Sequence, residues 1–157
     1  MLHYKGERCT LPKSDSMDAK KIFQPKIWYI ICGAMAMLGG IENNINAEKW
    51  ADSAWGAAGV NDQSLAMEML FGLFMIGFGV MSFVTAYVLE GESIAKFAMF
   101  NGAAMIAFFV IMFVMLPTSG YALPGVGWLL PPLVLIGGLI TSGYLHSREE
   151  AAPAGDA

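Results

Sequence analysis

The sequence predicts an all-α polytopic membrane protein: four transmembrane helices in an antiparallel bundle, with a short amphipathic helix at one interface. Three observations carry this prediction. Four apolar stretches, Ile27–Ile41, Leu65–Leu89, Ile94–Leu116 and Val126–Leu145, are separated by polar or turn-forming residues. A hydrocarbon core about 30 Å thick takes roughly 20 apolar helical residues; the second and third stretches reach that outright, the first and last with their flanks. The chain is also 56% hydrophobic and only 14% charged, with a mean hydropathy of +0.54. A soluble domain carries about 25% charged residues, so the deficit itself points to a membrane.

The third observation is charge segregation. Lys5, Arg8, Lys13, Lys20, Lys21 and Lys26 precede the first apolar stretch, and with four crossings Lys96 and Arg148 fall on the same side, leaving only Lys49 opposite. Positively charged flanks stay inside, which places both termini in the cytoplasm, or in the matrix or stroma of an organelle. The chain divides into a polar basic tail (1–21), a transmembrane domain (22–146) and a C-terminal tail (147–157). Within the domain the helices are expected at about 27–44, 64–89, 94–116 and 128–145, with the interfacial helix at about 47–58. A rival reading takes the basic start, the run from Ile27 and Ile45-Asn46-Ala47 as a cleaved signal peptide; the length of the basic region counts against it. The lysines of the tail suit anionic headgroups. Their confinement to one terminal segment, with a net charge of -4, argues against nucleic acid as a partner.

Each element has its punctuation. Pro25 precedes the aromatic pair Trp28 and Tyr29, suited to the cytoplasmic interface. In the first connection Ala47, Trp50, Ala51, Ala54, Trp55 and Ala58 form one apolar stripe opposite Glu48, Lys49, Asp52 and Ser53, with Asn46 as cap; this is the pattern of a helix lying in the interface plane. It reads either as a cover over the helix ends or, through its tryptophans, as a docking surface for another subunit. Gly91 after Glu90 reads as a C-cap and Ser93 as an N-cap, making helices two and three a tight hairpin. Pro117 ends the third helix. Pro131-Pro132 favours a last helix starting at Leu130 over one that starts near Val126 and kinks. Trp28, Trp50, Trp55 and Trp128 are the expected interface anchors.

Few polar residues lie in or beside the membrane, and ionisable groups at that depth usually carry a task. Glu68 falls in the first turn of the second helix, where the helix dipole stabilises an anion. Glu42 falls near the end of the first, where the dipole opposes one, so it needs water, a proton or a partner such as Lys49. Topology puts Glu42, Asn43, Asn44 and Glu68 at one end of the bundle. They read as a candidate small-molecule, cation or proton site, or as capping and interfacial solvation. Asn101, in the opposite half, is expected to make an interhelical hydrogen bond.

No metal site is expected. Met35-Ala36-Met37 and Met67-Glu68-Met69 suggest Cu(I), but residues two apart on a helix face different ways. Cys9 and Cys32 make neither a disulfide framework nor a zinc pattern, and His3 and His146 sit in or beside the tails. Gly72, Gly77, Gly79, the run Gly102-Ala103-Ala104, and Gly138 with Ser142 instead suggest close helix packing.

Glu68-Met-Leu-Phe-Gly72, continued by Leu-Phe-Met-Ile-Gly77-Phe-Gly79, resembles the second helix of DoxX-like small four-helix membrane proteins. The basic lead and the Trp-bearing interfacial helix depart from that pattern. The resemblance implies an accessory subunit of a redox membrane assembly, with no catalytic residue to carry over except Glu68. The sequence thus predicts a non-catalytic accessory or structural subunit of a larger membrane complex, respiratory or photosynthetic, whose partners are the lipid bilayer and other membrane subunits. The alternatives are a small carrier or channel using the Glu42, Asn43, Asn44 and Glu68 site, and a redox enzyme with a bound quinone or pigment. No directly bound cofactor is assigned; contact with lipid, pigment or quinone along the apolar faces is the expectation.

Overall fold

A computed structural model describes residues 19–147 except Pro124. Expectations for the basic tail before residue 19, including Cys9, and for the tail beyond Ser147 fall outside the described residues. After a helical stretch at 19–22, five helices follow in order: α1 (Pro25–Ile45), α2 (Ala47–Trp55), α3 (Asp62–Val88), α4 (Gly91–Met115) and α5 (Val126–Ser147). Short 3-10 turns occupy Ala57–Gly59 and Leu116–Ser119, and no strand occurs among the described residues. Three helical stretches are long and apolar enough to cross a membrane: Asp62–Val88, Gly91–Ser119 and Gly127–Ser147. At 21 residues α1 is long enough. It is not among the three, because Glu42, Asn43, Asn44 and its glycines lower its hydropathy.

The ends of the helices follow local chemistry. Pro25 opens α1, where its missing N–H has no helical partner to lose. Asn46 both ends α1, through its N–H on the Glu42 carbonyl, and precedes α2. Its side chain does not cap α2, as the sequence suggested, but turns back to Glu42. The interfacial helix is shorter than predicted because Gly56, at φ 74°, ends it. A capping box starts α3: the Asn61 side chain accepts from the N–H groups of Gln63 and Ser64, and Ser64 Oγ accepts from the Asn61 N–H. That start, two residues earlier than expected, puts Glu68 in the second turn, outside the reach of the dipole argument.

Two further expectations are corrected. Gly91, at φ 57°, is the first residue of α4 rather than a C-cap, and Ser93 lies inside the first turn. Helix α5 runs unbroken from Val126 with Pro131 and Pro132 inside it, instead of starting at Leu130. The prolines fall in the second turn, so the hydrogen bonds they forgo are those to the Gly127 and Trp128 carbonyls, close to the helix start.

Packing also departs from the sequence order. The predicted α3–α4 hairpin scarcely touches; α3 packs along α1, α4 along α5, and α1 bridges the two pairs. Glycines decide this. A Cβ on Gly40 would lie 2.5 Å from the Gly72 carbonyl oxygen, and one on Gly79 would lie 2.7 Å from that of Gly33. These two crossings, seven residues apart on each helix, bring the α1 and α3 backbones together in antiparallel order. Gly143 meets the Ala95 carbonyl between α5 and α4 in the same way, and Gly138 accepts the Trp28 ring. Tyr29, Ala86, Ile94, Ala98 and Leu139 form the buried core, with Trp28 and Leu89 against it. Tyr29 is therefore a core residue, fully buried within the bundle.

Candidate functional site

The α2 end of the molecule gathers most of its buried polar chemistry, in two separate groups. The first is built on Glu42. Its carboxylate accepts from Asn46 Nδ2 at 3.1 Å and from Trp50 Nε1 at 2.9 Å. Lys49, the partner suggested by sequence, instead sits 5.8 Å from the Trp50 ring centroid. Trp128 meets Trp50 edge-on, with ring centroids 5.0 Å apart, which ties the start of α5 to the group.

The second group is built on Glu68, which is only 3% exposed. Tyr121 Oη donates to Glu68 Oε1 at 3.1 Å, and Asn43 Nδ2 donates to the Glu68 backbone carbonyl at 2.6 Å. Trp55 packs edge-on against Tyr121, centroids 5.3 Å apart, and the Ala122 N–H donates to the Ala54 carbonyl at 2.8 Å. The loop after α4 is thus pinned to both α2 and α3. Burial pushes the Tyr121 hydroxyl up to about 12, and the Glu68 carboxyl beside it adds to that shift.

Of the four residues expected to converge, the structure joins Asn43 to Glu68 and leaves Glu42 in its own group. Asn44 turns back to the Gly40 carbonyl at 2.8 Å, where it lies against Gly72. Sequence reasoning did not include Tyr121. The cue was available: with four crossings, the loop holding Tyr121 falls on the same side as Glu68. The Trp50 indole is the donor that satisfies Glu42, a role that the apolar stripe of α2 does not reveal.

Elsewhere the residues act as packing and capping groups. Asn101 Nδ2 donates to Tyr29 Oη at 3.4 Å, joining α4 to α1. Cys32 is buried with its thiol 3.8 Å from the Leu135 carbonyl. The Trp28 ring stacks on Phe23, while Trp128 is 60% exposed. At the opposite end from α2, Lys26 pairs with Glu90 at 3.9 Å, and Lys96 pairs with Glu92. Among the described residues no three of His, Cys, Asp and Glu are placed to hold a metal. Met67 and Met69 are both exposed and flank the buried Glu68.

Shallow hollows mark the surface of the described residues. An open one of about 560 Å³ lies outside α2 and is lined by Ile45, Asn46, Glu48, Lys49, Asp52, Ala57 and Val60. A second, wholly on α3, is lined by Leu70, Leu73, Phe74, Gly77 and Phe78. Neither is lined by Glu68. No known protein family, curated protein or solved structure matches this chain.

Proposed function

We propose that this protein is a non-catalytic accessory subunit that crosses the membrane four times and packs against a larger membrane complex of the respiratory or photosynthetic kind. The observation that carries this reading is the surface of α4. Only 6% of its most apolar window is buried within the chain, against 28% for the window of α5. Its outward face holds Ala103, Ala104 and Ala107 among Phe100, Phe108, Val110 and Ile111. Small residues spaced by four beside large ones allow a second helix to approach closely in lipid, where packing drives association. The resemblance of the Glu68–Gly79 segment to DoxX-like proteins supports the same role.

The fourth crossing is α1. It runs beside α3 from the Lys26–Glu90 pair at one end to the Asn43–Glu68 contact at the other. The 17 steps from Lys26 to Asn43 span about 26 Å of helix, most of a hydrocarbon core. A helix laid along a spanning helix for that distance crosses with it, and its polar residues sit at the α2 end, where headgroups begin. Lysines at the opposite end support a cytoplasmic, matrix or stromal position for both termini.

The test is to replace Ala103 and Ala107 together by leucine. These residues face away from α5, so the chain is expected to fold and to lose its partners on mild solubilisation. Undiminished co-purification of the double variant counts against the reading. A second reading, a small carrier or channel, is favoured by the burial of Glu68. It predicts pH-dependent flux into liposomes that Glu68→Gln removes, and flux no greater than in empty liposomes eliminates it.

A further inference from the structure

Glu68 is the only buried ionisable carboxyl among the described residues, and Tyr121, on a loop rather than a helix, donates a hydrogen bond to it. That loop is fastened at three points in succession: Tyr121 Oη on Glu68, the Tyr121 ring against Trp55, and the Ala122 N–H on Ala54. Two of these need no charge. The third has an acceptor that can take up or lose a proton.

We propose that Glu68 is the proton-binding element of a latch: the Tyr121 loop stays docked on α2 and α3 while Glu68 carries a proton, and it releases when the proton leaves. The docked arrangement offers Glu68 only neutral donors, Tyr121 and the neighbouring Asn43 amide, and almost no water, and an anion held without a counter-charge is costly to bury. Releasing Tyr121 opens a path for water to the carboxylate. The groups facing Glu68 do not supply the missing charge. On α1, Glu42 is occupied by Asn46 and Trp50, Lys26 is at the far end with Glu90, and Tyr29 and Cys32 lie in the opposite half. On α2, Glu48, Asp52 and Lys49 lie on the exposed face, with Lys49 near the Trp50 ring. On α3 itself, Asp62 is exposed in the first turn. Tyr121, with its hydroxyl pushed up to about 12, stays protonated throughout the neutral range.

The experiment is hydrogen exchange of the full chain in lipid nanodiscs, followed over residues 116–123 from about pH 4 to about pH 9 and corrected for intrinsic rates. The latch predicts that protection of this segment falls at least about tenfold as pH rises. Glu68→Gln, which mimics the protonated acid, is expected to keep the segment protected at every pH, and Glu48→Gln to respond like the wild type. Infrared difference spectra supply an independent readout: a protonated carboxylic acid band lost over the same pH range and absent from Glu68→Gln. Protection that does not change with pH, or a Glu68→Gln response equal to that of the wild type, overturns the proposal. Either result leaves the accessory-subunit reading standing, because the latch involves no partner.

Discussion

Tyr121 shows most directly how single residues bind the α2 end together. In the docked loop its hydroxyl is buried beside a carboxyl, and both conditions favour the neutral phenol, pushing it up to about 12. The sign for stability follows from linkage. A hydroxyl raised above its unfolded value of about 10 contributes fully below that pH, and the contribution is lost as pH rises through the folded value. In Glu68→Gln, where the loop stays docked at every pH, the tyrosinate absorbance removed by adding Tyr121→Phe is therefore expected to develop above about pH 10 and not near it. A difference complete by about pH 10 in that background would mean that the hydroxyl is solvated even in the docked loop. The same residue marks a limit of sequence reading. Glu68 stands out because a carboxylate in an apolar run is conspicuous, whereas a tyrosine in a Pro- and Gly-containing loop is not. Similarly, Trp50 and Trp55 follow the apolar stripe of α2 correctly, but periodicity does not reveal that their rings turn inward to Glu42 and Tyr121. Removing them is expected to loosen this end of the bundle before it frees any partner.

At the scale of elements, the helices themselves were legible, because each long apolar run with a flanking Pro, Gly or Asn admits little else. Their pairing was not. A two-residue connection suggested that α3 and α4 pack together, but backbone approach at Gly33–Gly79 and Gly40–Gly72 joins α3 to α1 instead. Glycine on its own does not identify such a crossing. Gly72 and Gly77 lie on one helix, yet a Cβ on Gly72 would meet Gly40 and Asn44 while one on Gly77 would meet nothing within 4 Å. Gly72→Ala is accordingly expected to lose about 1–3 kcal/mol through overpacking. Gly77→Ala is expected to be neutral or to gain up to about 1 kcal/mol from helix propensity. Unfolding in mixed detergent micelles measures both, and equal effects would contradict the α1–α3 crossing. The prolines of α5 misled for a related reason: Pro131 and Pro132 are tolerated close to a helix start, so they mark the beginning of the helix only approximately.

At the scale of the whole molecule, the two ends differ in character. One carries Lys20, Lys21, Lys26 and Lys96 with Glu90 and Glu92; the other carries Glu42, Glu48, Asp52, Asp62 and Glu68 with Lys49. Between them, α3 and α4 expose long apolar faces that the other described helices do not cover. Membrane class could be read from composition and run length alone, whereas the uncovered face of α4 became visible only once its packing against α5 was known. The central claim, that other subunits cover this face, is tested most directly by the native mass and absorbance spectrum of the protein after mild solubilisation from its own membrane. The account predicts a particle far heavier than one 16.9 kDa chain with its detergent, carrying haem or pigment bands from co-migrating subunits. A colourless particle of one or a few copies would contradict it.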